Sequence, residues 1–213
     1  KKLFSFFLRY YLKKSLFIIS DSKFILRTNL IEYKNKIGKL WKDIPIHHST
    51  SDLSPIFNYK MRNKKQNINS LIHIGSIGRL APVKNYQILI EAIFIIKQKY
   101  NKNICLSIAG SGIMYKELSN LIKDYNMEDY INLLGDVNRE DIPKYLSTLD
   151  IYVQTSISEG SPLTIKEAMA SALPIVSTNV GGISELINDG NSGILIESKN
   201  NSALIEALLK LIE

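Results

Sequence analysis

The sequence predicts a doubly wound α/β fold from about residue 71 onward. Two observations carry this. Six short apolar runs, rich in Ile, Val and Leu, recur along that stretch, and amphipathic segments with helical spacing lie between them. Strands alternating with helices imply a parallel sheet covered on both faces. In such a fold the ligand lies at the carboxyl ends of the strands.

The expected strands are LIHIGSI (71–77), NICLSIAG (103–110), YINLLG (130–135), DIYVQTS (150–156), PIVST (174–178) and GILIE (193–197). All are too short for helices. Apolar residues recur every three to four positions in 85–100 and 113–125, and the segments 139–149, 162–172 and 201–213 complete the helices. Residues 1–70 do not join the pattern. LFIIS (16–20) reads as one strand between two helices, too little to bury a core. Residues 41–70 are polar, carry Pro45 and Pro55, and read as a linker.

Charge divides the chain at the same place. Residues 1–70 hold 15 Lys and Arg against 4 Asp and Glu, whereas residues 71–213 hold 12 against 16. The whole-chain charge of +7 therefore belongs to the first third. Lys1, Lys2, Arg9, Lys13 and Lys14 interleave with Phe4, Phe6, Phe7, Tyr10 and Tyr11. That pattern suits a helix lying on a membrane surface, or one packed on a further sheet, and the two readings stand level. Nucleic acid is disfavoured, because no recognition motif is present and the α/β part is acidic. The single cysteine, Cys105, lies in an apolar run, which excludes an internal disulfide and suits a core residue in a reducing cytoplasm. His47 and His48 fall in the linker and His73 in a strand, so no metal site is expected.

The chemistry lies in the turns after the strands. GRLAPVKN (78–85) follows the first strand, with Gly78 in the turn, Arg79 after it, and Lys84 at the expected start of the next helix. A helix N-terminus carries free N–H groups and partial positive charge, so two cations there suit a phosphate better than they suit the helix. IAGSG (108–112) is a second such turn. It lacks the third glycine of a dinucleotide fingerprint, since Tyr115 stands there, and a tight turn at Gly110 accounts for it. SEGSPLTIKEAMASALP (158–174) is the third. Glu159 and Gly160 lie in its loop, Ser161 is expected to cap the helix with Pro162 at the first helical position, and Glu167 falls on the second turn. Carboxylates accept paired hydroxyls while Arg and Lys hold phosphates, so this set suits a nucleotide sugar.

GRLAPVKN, LLGDV (133–137) and EGSPLTIKEAMASALPIVSTNVGGISELINDGNSGILIE (159–197) resemble the nucleotide-sugar domain of family 4 glycosyltransferases, the group 1 glycosyl transferases. The resemblance covers about residues 71–197. It implies the retaining chemistry and GT-B fold of that family, in which two Rossmann-like domains face each other. Residues 71–213 would be the C-terminal, donor-binding domain, 1–45 the end of an acceptor-binding domain, and 46–70 the linker between them. By the same resemblance Arg79 and Lys84 neutralise the departing diphosphate, and Glu167 accepts the ribose hydroxyls. Glu159 contacts hydroxyls of the transferred sugar. The catalytic set is thus Arg79, Lys84 and Glu159. Backbone N–H groups of Ser161, Leu163 and Thr164 would hold sugar and phosphate; Pro162, where many members carry glycine, supplies none. Gly78, Gly110, Gly160 and Pro162 count with these among the donor-binding residues, in the turns that line the donor, and the base rests near Gly135 and Val137. No metal or other cofactor is implied, and no Asp-x-Asp motif is present. The acceptor would be a glycan or lipid-linked sugar in surface polysaccharide or glycolipid synthesis, with the protein cytoplasmic or on the inner face of a membrane. The other reading is a nucleotide-sugar-binding module without autonomous activity.

Overall fold

The computed structural model describes residues 71–213. The expected linker (46–70), the expected remnant of a preceding domain (1–45) and the basic start fall outside the described residues. Six strands form one sheet: β1 (Ile72–Ile77), β2 (Ile104–Ala109), β3 (Ile131–Gly135), β4 (Ile151–Gln154), β5 (Ile175–Thr178) and β6 (Ile194–Ile196). Every pairing is parallel and the order is β3-β2-β1-β4-β5-β6. Five helices connect or flank them: α1 (Tyr86–Tyr100), α2 (Tyr115–Asp124), α3 (Ile142–Thr148), α4 (Leu163–Ala170) and α5 (Asn201–Ile212). All six expected strands and all five expected helices are present, with ends trimmed by one to three residues.

The side-chain alternation of each strand sorts residues between two cores. On one face Ile74, Ile104, Leu106, Ile108, Ile151, Val153 and Val176 pack with α1, α2 and α5. On the other, Tyr152 and Ile175 pack with α3 and α4 through Tyr145, Leu146, Ile165 and Ala168. Helix α1 is apolar nearly all round, with Ile88, Leu89, Ile90, Ala92, Ile93 and Ile96 buried, because α5 covers the flank that the sheet leaves open. Each fully buried Leu or Ile contributes roughly 1.5–3 kcal/mol, and a dozen large side chains here are essentially inaccessible.

This topology places the site. The chain runs outward from β1 through β2 to β3, then returns to the other side of β1 as β4. Helix α1 leaves the end of β1 toward one face, whereas α4 leaves β4 toward the opposite face. The connections therefore leave the carboxyl ends of these two neighbouring strands toward opposite faces, which is the switch point of a doubly wound sheet, where ligands of such folds bind.

Candidate functional site

The loop after β1 turns through a short 3-10 segment, Pro82–Lys84, before α1 starts at Tyr86. Lys84 thus closes this turn instead of opening the helix as expected. The cause lies on either side of it: Pro82 presets the backbone for a tight turn, and Asn85 adopts the left-handed conformation, φ 51°, which breaks helical continuity. The turn aims Lys84 across the switch point. Its Nζ lies 2.6 Å from Oε1 of Glu159, in the loop after β4.

The two loops are also joined through their backbones. The Ile157 N–H donates to the Val83 carbonyl at 2.8 Å, and the Thr155 hydroxyl reaches the carbonyls of Lys84 and Asn85 at 3.0 and 3.1 Å. Behind them, the Gly78 N–H donates to Ala109 and the Leu80 N–H to Ser111, so the first turn rests on the IAGSG turn. A Cβ on Gly110 would stand 2.1 Å from the Gly78 carbonyl oxygen. The glycine there serves the approach of two backbones, which is the tight-turn reading made specific. The Gly110 N–H also donates to the Gly135 carbonyl at 2.7 Å, tying the end of β3 to the IAGSG turn. Beside Gly135, Val137 is half-buried against the α3 and α4 core, and Asp136 accepts from the Ser111 hydroxyl at 2.7 Å.

Glu159 is held from several directions. Its Oε1 accepts from Lys84, from the Gln154 amide at 2.8 Å and from the Ser156 hydroxyl at 2.6 Å. Its main chain is pinned by the GG pair at 181–182. Gly181, at φ 62°, passes so close that a Cβ would lie 1.7 Å from the Glu159 carbonyl oxygen, and the Gly182 N–H donates to the Gly160 carbonyl at 2.9 Å. Arg79 stands exposed, and its guanidinium has no hydrogen bond or ion pair among the described residues.

Helix α4 begins one residue later than expected. Pro162 is its N-cap, with φ −67° and ψ 121°, and Leu163 is the first helical residue. The expectation that Ser161 caps the helix is therefore corrected: at ψ 121° Pro162 is extended, which places the cap on the proline itself. No side chain caps α4, so the first-turn N–H groups, those of Leu163 and Thr164 among them, have no intrahelical partner. Glu167 lies on the second turn and is only 8% exposed. Burial raises its carboxyl above the usual range, while the positive charge of Arg139 opposes that shift.

Sequence reasoning did not single out Gln154, Ser156 or Arg139. The signal for the first two was the polar ending Gln-Thr-Ser of a strand covered on both faces. Gln154, Thr155 and Ser156 are all buried. Such residues persist in a core only when hydrogen-bonded. Arg139 sits in a turn before α3, and only folding brings it near Glu167. His73 is also accounted for by structure: its ring nitrogens lie 3.1 Å from the Thr148 carbonyl and 2.7 Å from the Ser107 hydroxyl.

Residues 59–213 match the family model described as glycosyl transferases group 1. The chain belongs to that family. Among curated relatives, it is 35% identical over 163 residues to the amylovoran biosynthesis glycosyltransferase AmsK of Erwinia amylovora, covering 73% of this chain and 39% of that one. It is 34% identical over 139 residues to the Escherichia coli enzyme named UDP-Gal:alpha-D-GlcNAc-diphosphoundecaprenol alpha-1,3-galactosyltransferase, covering 64% and 35%. The chain thus spans 35 to 39% of the length of these relatives. Among solved structures, the C-terminal domain of a group 1 glycosyl transferase, LpcC, from Francisella tularensis aligns with TM-score 0.61 and 31% identity, over 66% of this chain and 75% of that domain. Staphylococcus aureus TarM, solved with fondaparinux, alpha-GlcNAc-glycerol and UDP, aligns with TM-score 0.72 and 25% identity, over 95% and 38%. The sheet and its flanking helices are those of the GT-B glycosyltransferases.

Proposed function

We propose that residues 71–213 bind the nucleotide-sugar donor of a retaining family 4 glycosyltransferase. The observation that carries this reading is the meeting of Lys84 and Glu159 at 2.6 Å across the switch point, beside the uncapped start of α4. Cation, carboxylate and free N–H groups there match the three parts of the ligand: diphosphate, sugar hydroxyls and the oxygens between them.

In this reading Arg79 and Lys84 hold the diphosphate, with the Leu163 and Thr164 N–H groups. Glu167 accepts the ribose hydroxyls, Glu159 those of the transferred sugar, and the base lies near Gly135 and Val137. Catalysis rests on stabilising the charge of the departing diphosphate, which itself assists attack from the same face. No protein nucleophile and no metal take part. The acceptor is a glycan or lipid-linked sugar, as in the name of the Escherichia coli relative, and the enzyme works at the inner face of a membrane.

Calorimetric titration with UDP, GDP and ADP tests the donor half of this proposal. One nucleotide should bind, and Glu167→Ala should abolish or strongly weaken it. Binding of none, or equal binding by the variant, would refute the assignment.

A further inference from the structure

We infer that Gln154 is a positioning residue for Glu159, and thereby a determinant of which sugar nucleotide is accepted; the inference rests on the donor-site reading above. Gln154 ends β4 and is 3% exposed. It touches neither Lys84 nor Arg79 in any hydrogen bond. Its amide is instead held at both ends. The Oε1 atom accepts from the Thr164 hydroxyl at 3.1 Å, on the first turn of α4, and from the Tyr152 hydroxyl at 3.3 Å.

Tyr152 is wholly buried, and its hydroxyl lies 3.3 Å from this oxygen and 3.5 Å from the Ile77 carbonyl oxygen. A carboxylate only accepts, so the amide end that meets Glu159 is the NH2 group, and the end facing the two hydroxyls is the carbonyl. The Nε2 group must then face the other way, and 2.8 Å beyond it lies Oε1 of Glu159. The hydroxyls at the far end hold the amide in place, and with it the hydrogen bond to the carboxylate.

The consequence is an asymmetric carboxylate. Gln154, Ser156 and Lys84 all converge on the same oxygen of Glu159. None of these bonds goes to Oε2. A free glutamate would rotate and offer either oxygen. Here one oxygen is saturated by protein donors, and the other is presented to sugar hydroxyls in a set direction. Discrimination between epimeric hydroxyls depends on such a fixed acceptor, because a mobile one follows the ligand. The device also links the sugar contact to the start of α4 through Thr164.

The test uses the full chain and three substitutions at one position. Gln154→Met keeps length and volume but donates nothing. Gln154→Glu is isosteric and places an acceptor against Glu159. Gln154→His retains a ring N–H at the reach of the original Nε2. Affinities for UDP, UDP-glucose, UDP-galactose and UDP-N-acetylglucosamine are measured for each, with thermal unfolding to establish that each variant folds. In Gln154→Met, affinity for the preferred sugar nucleotide should drop about tenfold, the loss of one hydrogen bond to a charged acceptor. Preference among the three sugars should flatten, UDP affinity should stay within about twofold, and Gln154→His should recover the preference. Unchanged sugar preference in Gln154→Met and Gln154→Glu would overturn the inference. So would equal losses for UDP and its sugars, which would assign Gln154 to loop structure alone. Failure of the wild-type chain to bind any of the four, and equally to bind GDP or ADP, would instead overturn the donor-site reading, and this inference with it.

Discussion

Replacing Gly181 with alanine perturbs the site without replacing any residue assigned to ligand. Two costs can be separated. Gly181 sits at φ 62°, where a Cβ costs about 1–2 kcal/mol on any residue. Its Cβ would also stand 1.7 Å from the Glu159 carbonyl oxygen, against ordinary contact at 3.4 Å or more. Relief requires the loop to withdraw by nearly 2 Å, a distance estimated from that overlap. A displacement of that size breaks the Gly182 to Gly160 hydrogen bond and carries Glu159 out of reach of Lys84. Loss of one backbone bond adds about 1 kcal/mol, so the total is roughly 2–3 kcal/mol. For a domain of this size that lowers Tm by about 8–12 °C.

Gly190 supplies the control. It has a similar φ of 76°, yet nothing lies within 4 Å of the position its Cβ would take. Gly190→Ala should therefore cost only the conformational part, about 1–2 kcal/mol, and leave ligand affinity alone. Thermal unfolding and UDP-glucose calorimetry on the two variants measure the difference. If Gly181→Ala and Gly190→Ala destabilise equally, or if Gly181→Ala binds UDP-glucose as the wild type does, the clamp of Gly181 on the Glu159 loop is refuted.

Glu167→Ala should weaken nucleotide diphosphate binding about a hundredfold, through loss of two charge-assisted hydrogen bonds totalling about 3 kcal/mol; unchanged affinity would remove Glu167 from the ribose. Arg79→Ala should weaken the nucleoside diphosphate that binds far more than its nucleoside, and equal losses would count against a diphosphate contact. Because burial raises the Glu167 carboxyl in the fold, the native state holds that proton to higher pH than the unfolded chain does. Stability contributed by the protonated form is present below the ordinary carboxylate value of 4.5 and is lost as pH rises through the raised value. Thermal unfolding across that window should show the decline in wild type and its absence in Glu167→Gln. Nucleotide affinity, which needs the ionised carboxylate, should change in the opposite direction and rise with pH over the same range.

Much of this protein was legible in its sequence, for reasons that are local. Each strand was a short run of β-branched and other apolar residues bounded by turn formers, and each helix repeated its apolar positions at helical spacing. Those signals act over a few residues and survive without knowledge of contacts. The charged turns proposed as the donor site stood out for the same reason: Arg79, Lys84, Glu159 and Glu167 are charges placed at or just after strand-to-helix junctions. The start of α4 was misread by one residue, because Ser161 is a good cap in isolation, whereas the extended Pro162 takes that place in the fold.

Only the tertiary structure decided the rest. The topological switch between β1 and β4 brings Lys84 to Glu159, 75 positions along the chain. It also gives the GG pair a task, since Gly181 meets Glu159 only after β5 has been laid beside β4. Arg139 reaches Glu167, and Gln154 finds Thr164, by the same kind of packing. A composition or a periodicity records which residues are buried and which turn. It does not record the direction of a hydrogen bond, and the orientation of the Glu159 carboxylate is set by donors converging from β1's loop, β4 and the loop beyond it.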